Sequence, residues 1–511
     1  MKRFFISAIV SMGCFMAHAQ SITIPTVDIF PGGTKTVEVS IPSGTSYTAF
    51  QFDVATPEGI SLKEASINGP ETRKITSGEV DGKYRVLSYD MENKTLGSSE
   101  VLSLTFEAAT TVESGDADAG VSGIVIVDPQ GTAPQTADGT FAFNVGEVES
   151  VTITAAGQAI ICSEKNLDFS EVTGVKAYIA TGHDKVSGKI WLTRVTDVPA
   201  GEAVLLMGNE GTYPVPVTTE KKAIYKNLLV GSKEGTTVYQ NDGENTNYIL
   251  SKPEGKEVGF YYAREAGSTI RPGGGYLPLP TTIAASGEAG STVKITMNKY
   301  GMKSYCPSQS LDFSEVEGMN AYIATGYTKN GVIRLTRVKQ VPKGVSVLLM
   351  APAEEKDYTV NTASLQQCYA NMFKGTLEET TIYQVEDDIV NYYISVKNDA
   401  AGYYLASTSG TKILANGSWL PVPKSMTFLA EGNATRGVLD IPESLSVSQT
   451  DEMISISLLQ GIGGDDDDVT GISRVVSEVG NDAWYNLKGQ RIDIPTRKGL
   501  YIKNGQKVVV K

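Results

Sequence analysis

Histidine is almost missing from this chain: 511 residues hold only two, His18 and His183. His18 lies in a segment that reads as removable, so one imidazole is left for any chemistry. That excludes histidine-rich metal centres and every Ser-His-Asp or Cys-His relay that does not run through His183. No Cys-x-x-Cys pair, Walker loop, dinucleotide fingerprint or Ser elbow occurs either. Long apolar runs are missing beyond Phe4–Met16, which is too short for a bilayer core of about 30 Å. Basic residues are outnumbered, 44 against 58 acids, for a formal charge of −14. Such a surface repels phosphate backbones and anionic lipid heads, which speaks against nucleic acid as a partner.

What is present points to an exported all-β protein of several domains. Hydrophobic residues make up 41% and charged residues 20%, and glycine reaches 52. The chain is too long for one ordinary core, and its Thr, Val, Ser and Tyr favour short strands joined by tight turns. Lys2 and Arg3, the apolar run and Ala17-His18-Ala19 form a signal peptide over 1–19, with the mature chain starting at Gln20. Cys14 after Gly13 offers a lipidation alternative, but Ser11 stands where a lipobox wants Leu. The expected location is extracellular or on the outer-membrane surface rather than the periplasm. Processing leaves Cys162, Cys306 and Cys368. Buried free thiols are one reading of these, with Cys162 and Cys306 filling the same pocket in two repeats. A Cys306–Cys368 bridge is the other.

From 20 to 149 the pattern is that of a two-sheet sandwich. Val37/Val39/Ile41, Phe50/Phe52/Val54, Leu102/Leu104/Phe106 and Phe141/Phe143/Val145 alternate, with Pro31-Gly32-Gly33, Pro57-Glu58-Gly59, Asp81-Gly82 and Asp138-Gly139 as turns. Tyr47-Thr48-Ala49-Phe50-Gln51-Phe52-Asp53-Val54, Arg85-Val86-Leu87-Ser88-Tyr89 and Leu102-Ser103-Leu104-Thr105-Phe106 resemble a cohesin-type domain. That resemblance implies a β-sandwich that binds partner modules or sits in surface scaffolds. No dockerin-like paired calcium loop occurs in the sequence, so such a partner would come from elsewhere.

The next part is a duplication. Leu167-Asp168-Phe169-Ser170-Glu171-Val172 returns as Leu311-Asp312-Phe313-Ser314-Glu315-Val316, and Ala177-Tyr178-Ile179-Ala180-Thr181-Gly182 as Ala321-Tyr322-Ile323-Ala324-Thr325-Gly326. Leu192-Thr193-Arg194-Val195 returns as Leu335-Thr336-Arg337-Val338, and Tyr276-Leu277-Pro278 as Trp419-Leu420-Pro421. Two homologous β domains are expected at 150–296 and 297–440. The unit resembles a module repeated in exported proteins of Gram-negative gut-type bacteria, which implies architecture and address but no chemistry. A linker at 441–472 contains Asp465 to Asp468, a solvated spacer rather than a cation site. A small β tail at 473–511 ends the chain, with Asn504-Gly505 as a two-residue hairpin loop. It resembles the C-terminal sorting tail of type IX-like export, which implies contact with export machinery.

No catalytic, metal or cofactor site is expected. His183 reads as part of a solvent-facing loop after Gly182. Asp168/Glu171 and Asp312/Glu315 are spaced as turn or cap residues, and Asp116-Ala117-Asp118 lacks the remaining ligands of a calcium loop. Aromatics suited to stacking on a glycan or protein form the candidate binding set: Tyr261, Tyr262 and Tyr276, with Tyr403, Tyr404 and Trp419 as second-repeat counterparts and Trp191 beside them. Core or sheet packing is the competing reading of most of them, and Tyr276 and Trp419, beside Gly- and Pro-rich turns, are the least core-like. The expectation is a non-enzymatic exported protein for adhesion or glycan or protein binding in trans. The alternative is a passive stalk or display scaffold.

Overall fold

The computed structural model describes residues 22–41, 47–97, 99–133, 136–329, 331–397 and 399–426, together with the strands Ser444–Gln449, Met453–Ile462, Trp484–Tyr485, Arg491–Ile492, Gly499–Lys503 and Gln506–Val510. The signal segment with Cys14 and Gln20, the Asp465 to Asp468 run and Asn504-Gly505 lie outside these residues. The described chain is all-β, with a single 3₁₀ turn at Lys424–Met426. No described helix is long and apolar enough to cross a membrane. Two compact units divide the chain, Met1–Val148 and Glu149–Lys511.

The first unit is a sandwich of a six-stranded and a three-stranded sheet. Strand alternation decides what lies between them: Phe50, Phe52 and Val54 point in from Ala49–Ala55, and Leu102, Leu104 and Phe106 point in from Val101–Ala108. Phe106 meets the Phe143 ring edge-on at 5.0 Å. The six-stranded sheet runs Val27–Ile29, Gly139–Val145, Gly115–Val127, Ala49–Ala55, Lys83–Asp90, Arg73–Val80. Asp116 and Asp118 therefore sit in a strand, paired with Asn144 and Ala142. Arg73 is buried beside Glu100, 3.2 Å away, and donates to the Thr48 and Lys94 carbonyls. A buried cation needs such partners to offset its desolvation.

The second unit holds the two repeats, and they have one strand order. Each pairs a small four-stranded sheet with a long one. In the first repeat the long sheet runs Gln158–Cys162, Ala203–Gly208, Val175–Asp184, Lys189–Val195, then Gly259–Tyr262, Asn245–Ser251, Gly274–Pro280, Val230–Ser232. The second repeats this as Met302–Tyr305, Val347–Met350, Asn320–Thr328, Val332–Val338, then Ala400–Leu405, Ile389–Lys397, Ser418–Pro423, Lys374–Gly375. Cys162 and Cys306 are free and buried at equivalent places. Each faces a glycine whose added Cβ would strike the cysteine side chain, at 2.3 Å for Gly231 and 2.8 Å for Gly375. Cys368 is also free, so the Cys306–Cys368 bridge does not form.

Both long sheets have the same interruption, and a later segment fills it. Met453–Ile462 lies between Lys189–Val195 and Gly259–Tyr262, antiparallel to the former and parallel to the latter. Ser444–Gln449 lies between Val332–Val338 and Ala400–Leu405 with the opposite polarity, parallel to the former and antiparallel to the latter. Ile456 and Leu458 pack on the first repeat's core. Part of the span that reads as a 441–472 linker is thus sheet. Backbone pairing has no sequence requirement and works in either direction, which is why alternation in 444–462 gave no hint of its destination.

The repeats also exchange edges. Gln367–Tyr369 of the second pairs with Val175–Asp184 of the first, and Ala223–Tyr225 of the first pairs with Asn320–Thr328 of the second. Tyr369 lies opposite Gly182 and Tyr225 opposite Gly326. A Cβ on Gly182 would come within 2.7 Å of the Tyr369 and Trp191 rings, and one on Gly326 within 2.7 Å of the Tyr225 ring. Glycine at the end of each Ala-Thr-Gly motif is what lets the partner strand approach. Beyond the repeats, Trp484–Tyr485, Arg491–Ile492, Gly499–Lys503 and Gln506–Val510 form a separate four-stranded sheet, with Lys503 opposite Gln506.

Candidate functional site

The aromatic set does not converge. Tyr261 and Tyr403 are 2% and 0% exposed, so neither offers a ring face, which corrects their place among binding residues. Tyr262 packs against Tyr248 with ring centroids 4.8 Å apart. Tyr276 covers Val238, Ile249, Ala263 and Ile270, and Trp419 covers Ile382, Ala406 and Ile413. The register also shifts the counterparts by one. Tyr262 lies opposite Tyr248 and Leu405 opposite Tyr392, so Tyr261 matches Tyr404 and Phe260 matches Tyr403. In agreement, Tyr261 donates to the Glu257 carbonyl under Lys256, and Tyr404 donates to the Ala400 carbonyl under Lys397. Trp191 stacks on Tyr369 at 5.3 Å, in the seam between the repeats.

His183 is buried within Val175–Asp184, not in an exposed loop, and it lies opposite Cys368. The exchanged strand covers it, and no local pattern announces a strand that arrives from the other repeat. Its Nδ1 is 3.3 Å from the Lys189 carbonyl, and burial pushes its pKa down. The carboxylates beside the repeated motif are turn residues. Asp168 accepts from the Ser170 N–H at 2.9 Å and pairs with Lys222 at 2.6 Å, while Asp312 accepts from the Ser314 N–H at 2.8 Å and from Gln340 at 2.9 Å. Glu171 and Glu315 have no bond to those aspartates among the described contacts.

The sheet geometry of the first unit builds a different surface. Antiparallel partners share a face, so the strand registers place side chains in rows on the outside of the six-stranded sheet. One row is Lys74, Tyr89, Ala49 and Val127. The next is Thr76, Leu87, Gln51 and Val125, and the last is Gly78, Arg85 and Asp53, with Ser122. Tyr89 is 44% exposed and Val125 43%, with Leu87 half-buried beside Tyr89, Val127 half-buried beside Val125, and Ala49 and Gln51 on the strand between. Met91 continues the apolar patch at 67% exposure. Arg85 grips Asp53 through two bonds of 2.7 and 2.8 Å, and that hydrogen bonding holds the Asp53 carboxyl below its ordinary pKa. Gly123, at φ +59, forms the bulge beside Asp53 that bends the neighbouring strand.

Sequence reasoning missed this face for a definable reason. Ile124-Val125-Ile126-Val127 is apolar throughout, so alternation cannot say which two residues face out. The burial of Ile124 and Ile126 settles it. The outward apolar positions of Leu87 and Tyr89 around buried Val86 and Ser88 were the available signal.

No known protein-family profile matches the chain, and no curated protein matches it. Solved structures match about a quarter of it, and cohesin modules are among those matched. A cohesin module from a Clostridium perfringens family 33 glycoside hydrolase is 13% identical, covering 25% of this chain and 96% of its own at a TM-score of 0.22. A non-cellulosomal cohesin from Archaeoglobus fulgidus is 17% identical, covering 24% and 91% at 0.20. A Clostridium thermocellum type I cohesin–dockerin complex contains a chain that is 14% identical, covering 25% and 99% at 0.22. At these identities the likeness is one of fold.

Proposed function

We propose that this chain is a non-enzymatic protein acting outside the cell, and that its N-terminal sandwich docks a partner protein on the outer face of the six-stranded sheet. The observation that carries this reading is the row register that leaves Tyr89 and Val125 exposed on one face, two strands apart, with Leu87 and Val127 half-buried beside them and Ala49 and Gln51 on the strand between. An apolar centre bordered by a charged pair is the pattern of a protein interface, and a flat sheet face gives no enclosure for a small substrate. The basic start, apolar run and Ala17-His18-Ala19 support export, and the likeness of 473–511 to a sorting tail supports a surface address.

The display-scaffold reading has its own support in the second unit. Reciprocal edge exchange and a shared inserted segment tie both repeats into one body, which suits passive bearing of load. The two readings separate on the mature chain probed against extracellular protein and glycan arrays, beside a Tyr89→Glu/Val125→Glu variant. Docking predicts saturable binding to a protein that the variant weakens at least tenfold while its thermal unfolding is unchanged. Binding that ignores the variant, or no binder at all, overturns the docking face and leaves the scaffold.

A further inference from the structure

The second repeat contains a cavity whose polar lining its twin lacks. It measures about 490 Å³ and lies between Met302–Tyr305, Ile389–Lys397 and the turn that joins Thr411–Ile413 to Ser418–Pro423. That volume falls within the usual small-molecule range of about 300–1,000 Å³. Its walls carry Lys303 and Lys412 and no carboxylate. Burial pushes the Lys303 pKa down, and the Nζ of Lys303 donates to the Thr296 carbonyl at 2.9 Å. Lys412 pairs with Glu379 at 2.9 Å, but both are more than half exposed, so the pair is weak. Tyr305 and Tyr393 add ring surface. Two polar atoms of lining residues have no hydrogen-bond partner: the Ser418 hydroxyl, on a residue 1% exposed, and the Asn416 Oδ1. Both atoms are buried behind the lining and closed off from solvent.

The first repeat is the internal control. Its strand register places Ala159, Ile161, Ile249, Thr269, Gly273 and Gly275 where the second has Lys303, Tyr305, Tyr393, Lys412, Asn416 and Ser418. A Cβ on Gly275 would meet the Val230 carbonyl at 2.8 Å and Ile160 at 2.9 Å, leaving no room for a serine. The same strand order therefore folds without these polar residues, and folding alone does not call for them.

We propose that this cavity binds an acidic monosaccharide unit. The two ammonium groups receive its carboxylate, and Tyr305 and Tyr393 cover its apolar face. This site is separate from the protein-docking face and does not depend on it. The test is calorimetry or ligand-observed NMR on the whole mature chain, with glucuronate and N-acetylneuraminate as probes and glucose and sulfate as controls. Variants take the first repeat's own residues: Lys303→Ala, Lys412→Thr and the pair. Saturable binding of one acidic sugar is expected, at least tenfold tighter than glucose or sulfate. The lysine pair variant should lose at least tenfold in affinity and each single variant part of that, with thermal unfolding retained. Absence of saturable binding by both acids, indifference to the variants, or equal affinity for glucose or sulfate would each overturn the assignment.

Discussion

Thr193 and Thr336 occupy the same position in the two repeats, and their hydroxyls meet each other at 3.2 Å in the buried seam. Thr181 joins Thr193 at 2.9 Å and Thr325 joins Thr336 at 2.9 Å, so four equivalent hydroxyls form one chain across a local twofold. The reciprocal strand pairs flank that chain, as a self-complementary contact requires.

Thr193→Val keeps the shape but takes one partner from the hydroxyl on either side, leaving Thr181 with the Trp191 carbonyl and Thr336 with Thr325. It should destabilise the second unit by about 0.5–1.5 kcal/mol. The Thr193→Val/Thr336→Val double variant should cost less than the sum of the two singles, because each removes a partner the other needed. Denaturant unfolding of all four proteins reads the coupling. Full additivity would mean that the hydroxyl chain carries no energy.

Truncation should show a sharp boundary. A chain ending at residue 470 keeps both inserted strands and should melt within about 2 °C of the full protein. A chain ending at 440 loses both, along with the burial of Ile456 and Leu458. Its melting temperature should fall by about 10 °C, from several kcal/mol of lost pairing and apolar contact. Open sheet edges should also drive it into larger species on size-exclusion chromatography. Equal melting of the two truncations would show the insertion to be energetically idle.

His183 sets a pH dependence. Its pKa is lowered in the fold by burial, so below the ordinary value of 6.5 the unfolded chain takes up a proton that the folded chain refuses. Stability from this group therefore falls as pH drops below 6.5, by at most about 1.4 kcal/mol per pH unit. Unfolding of the protein and of His183→Gln at pH 7.5 and 5.5 checks this, with the variant expected to lose less. Equal losses would place the acid sensitivity elsewhere.

Thiol chemistry should be silent until unfolding. Burial raises the pKa of Cys162 and Cys306, and pushes that of Cys368 up to about 11. A thiol-specific chromogen at pH 8 should titrate none of them quickly in the native protein. All three should react in denaturant without prior reduction. Stability should fall above the ordinary thiol value of 9, where the unfolded chain ionises first. Rapid native labelling of Cys368 would show that the exchanged strand Gln367–Tyr369 opens readily.

The all-β class, the core alternation of the sandwich and the duplication were legible in the sequence because period-two patterns and repeated motifs are local. Phe50, Phe52 and Leu104 could be placed inside from their neighbours alone. Asp168 and Asp312 could be assigned to turns from the serine two residues on. What was hidden depends on distant pairing. Nothing near His183 reveals that Cys368 will cover it, and nothing near Leu445 or Ile456 names the sheet that receives it. The aromatic set failed for a related reason. Tyr-Tyr pairs in a strand face opposite ways, so a one-residue error in matching the repeats exchanges a core ring for a surface one.

Synthesis proceeds from the N-terminus, so the inserted segment imposes a timetable. The first repeat's own strands finish at Pro280, yet its long sheet stays one strand short until residues 453–462 are made. The second repeat waits as well, for 444–449. A chain cut between residues 426 and 444 thus carries two gaps that no other described strand fills. Completeness of the polypeptide becomes a property that the fold itself reports: intact chains close, and shortened ones expose edges that proteases and self-association can find.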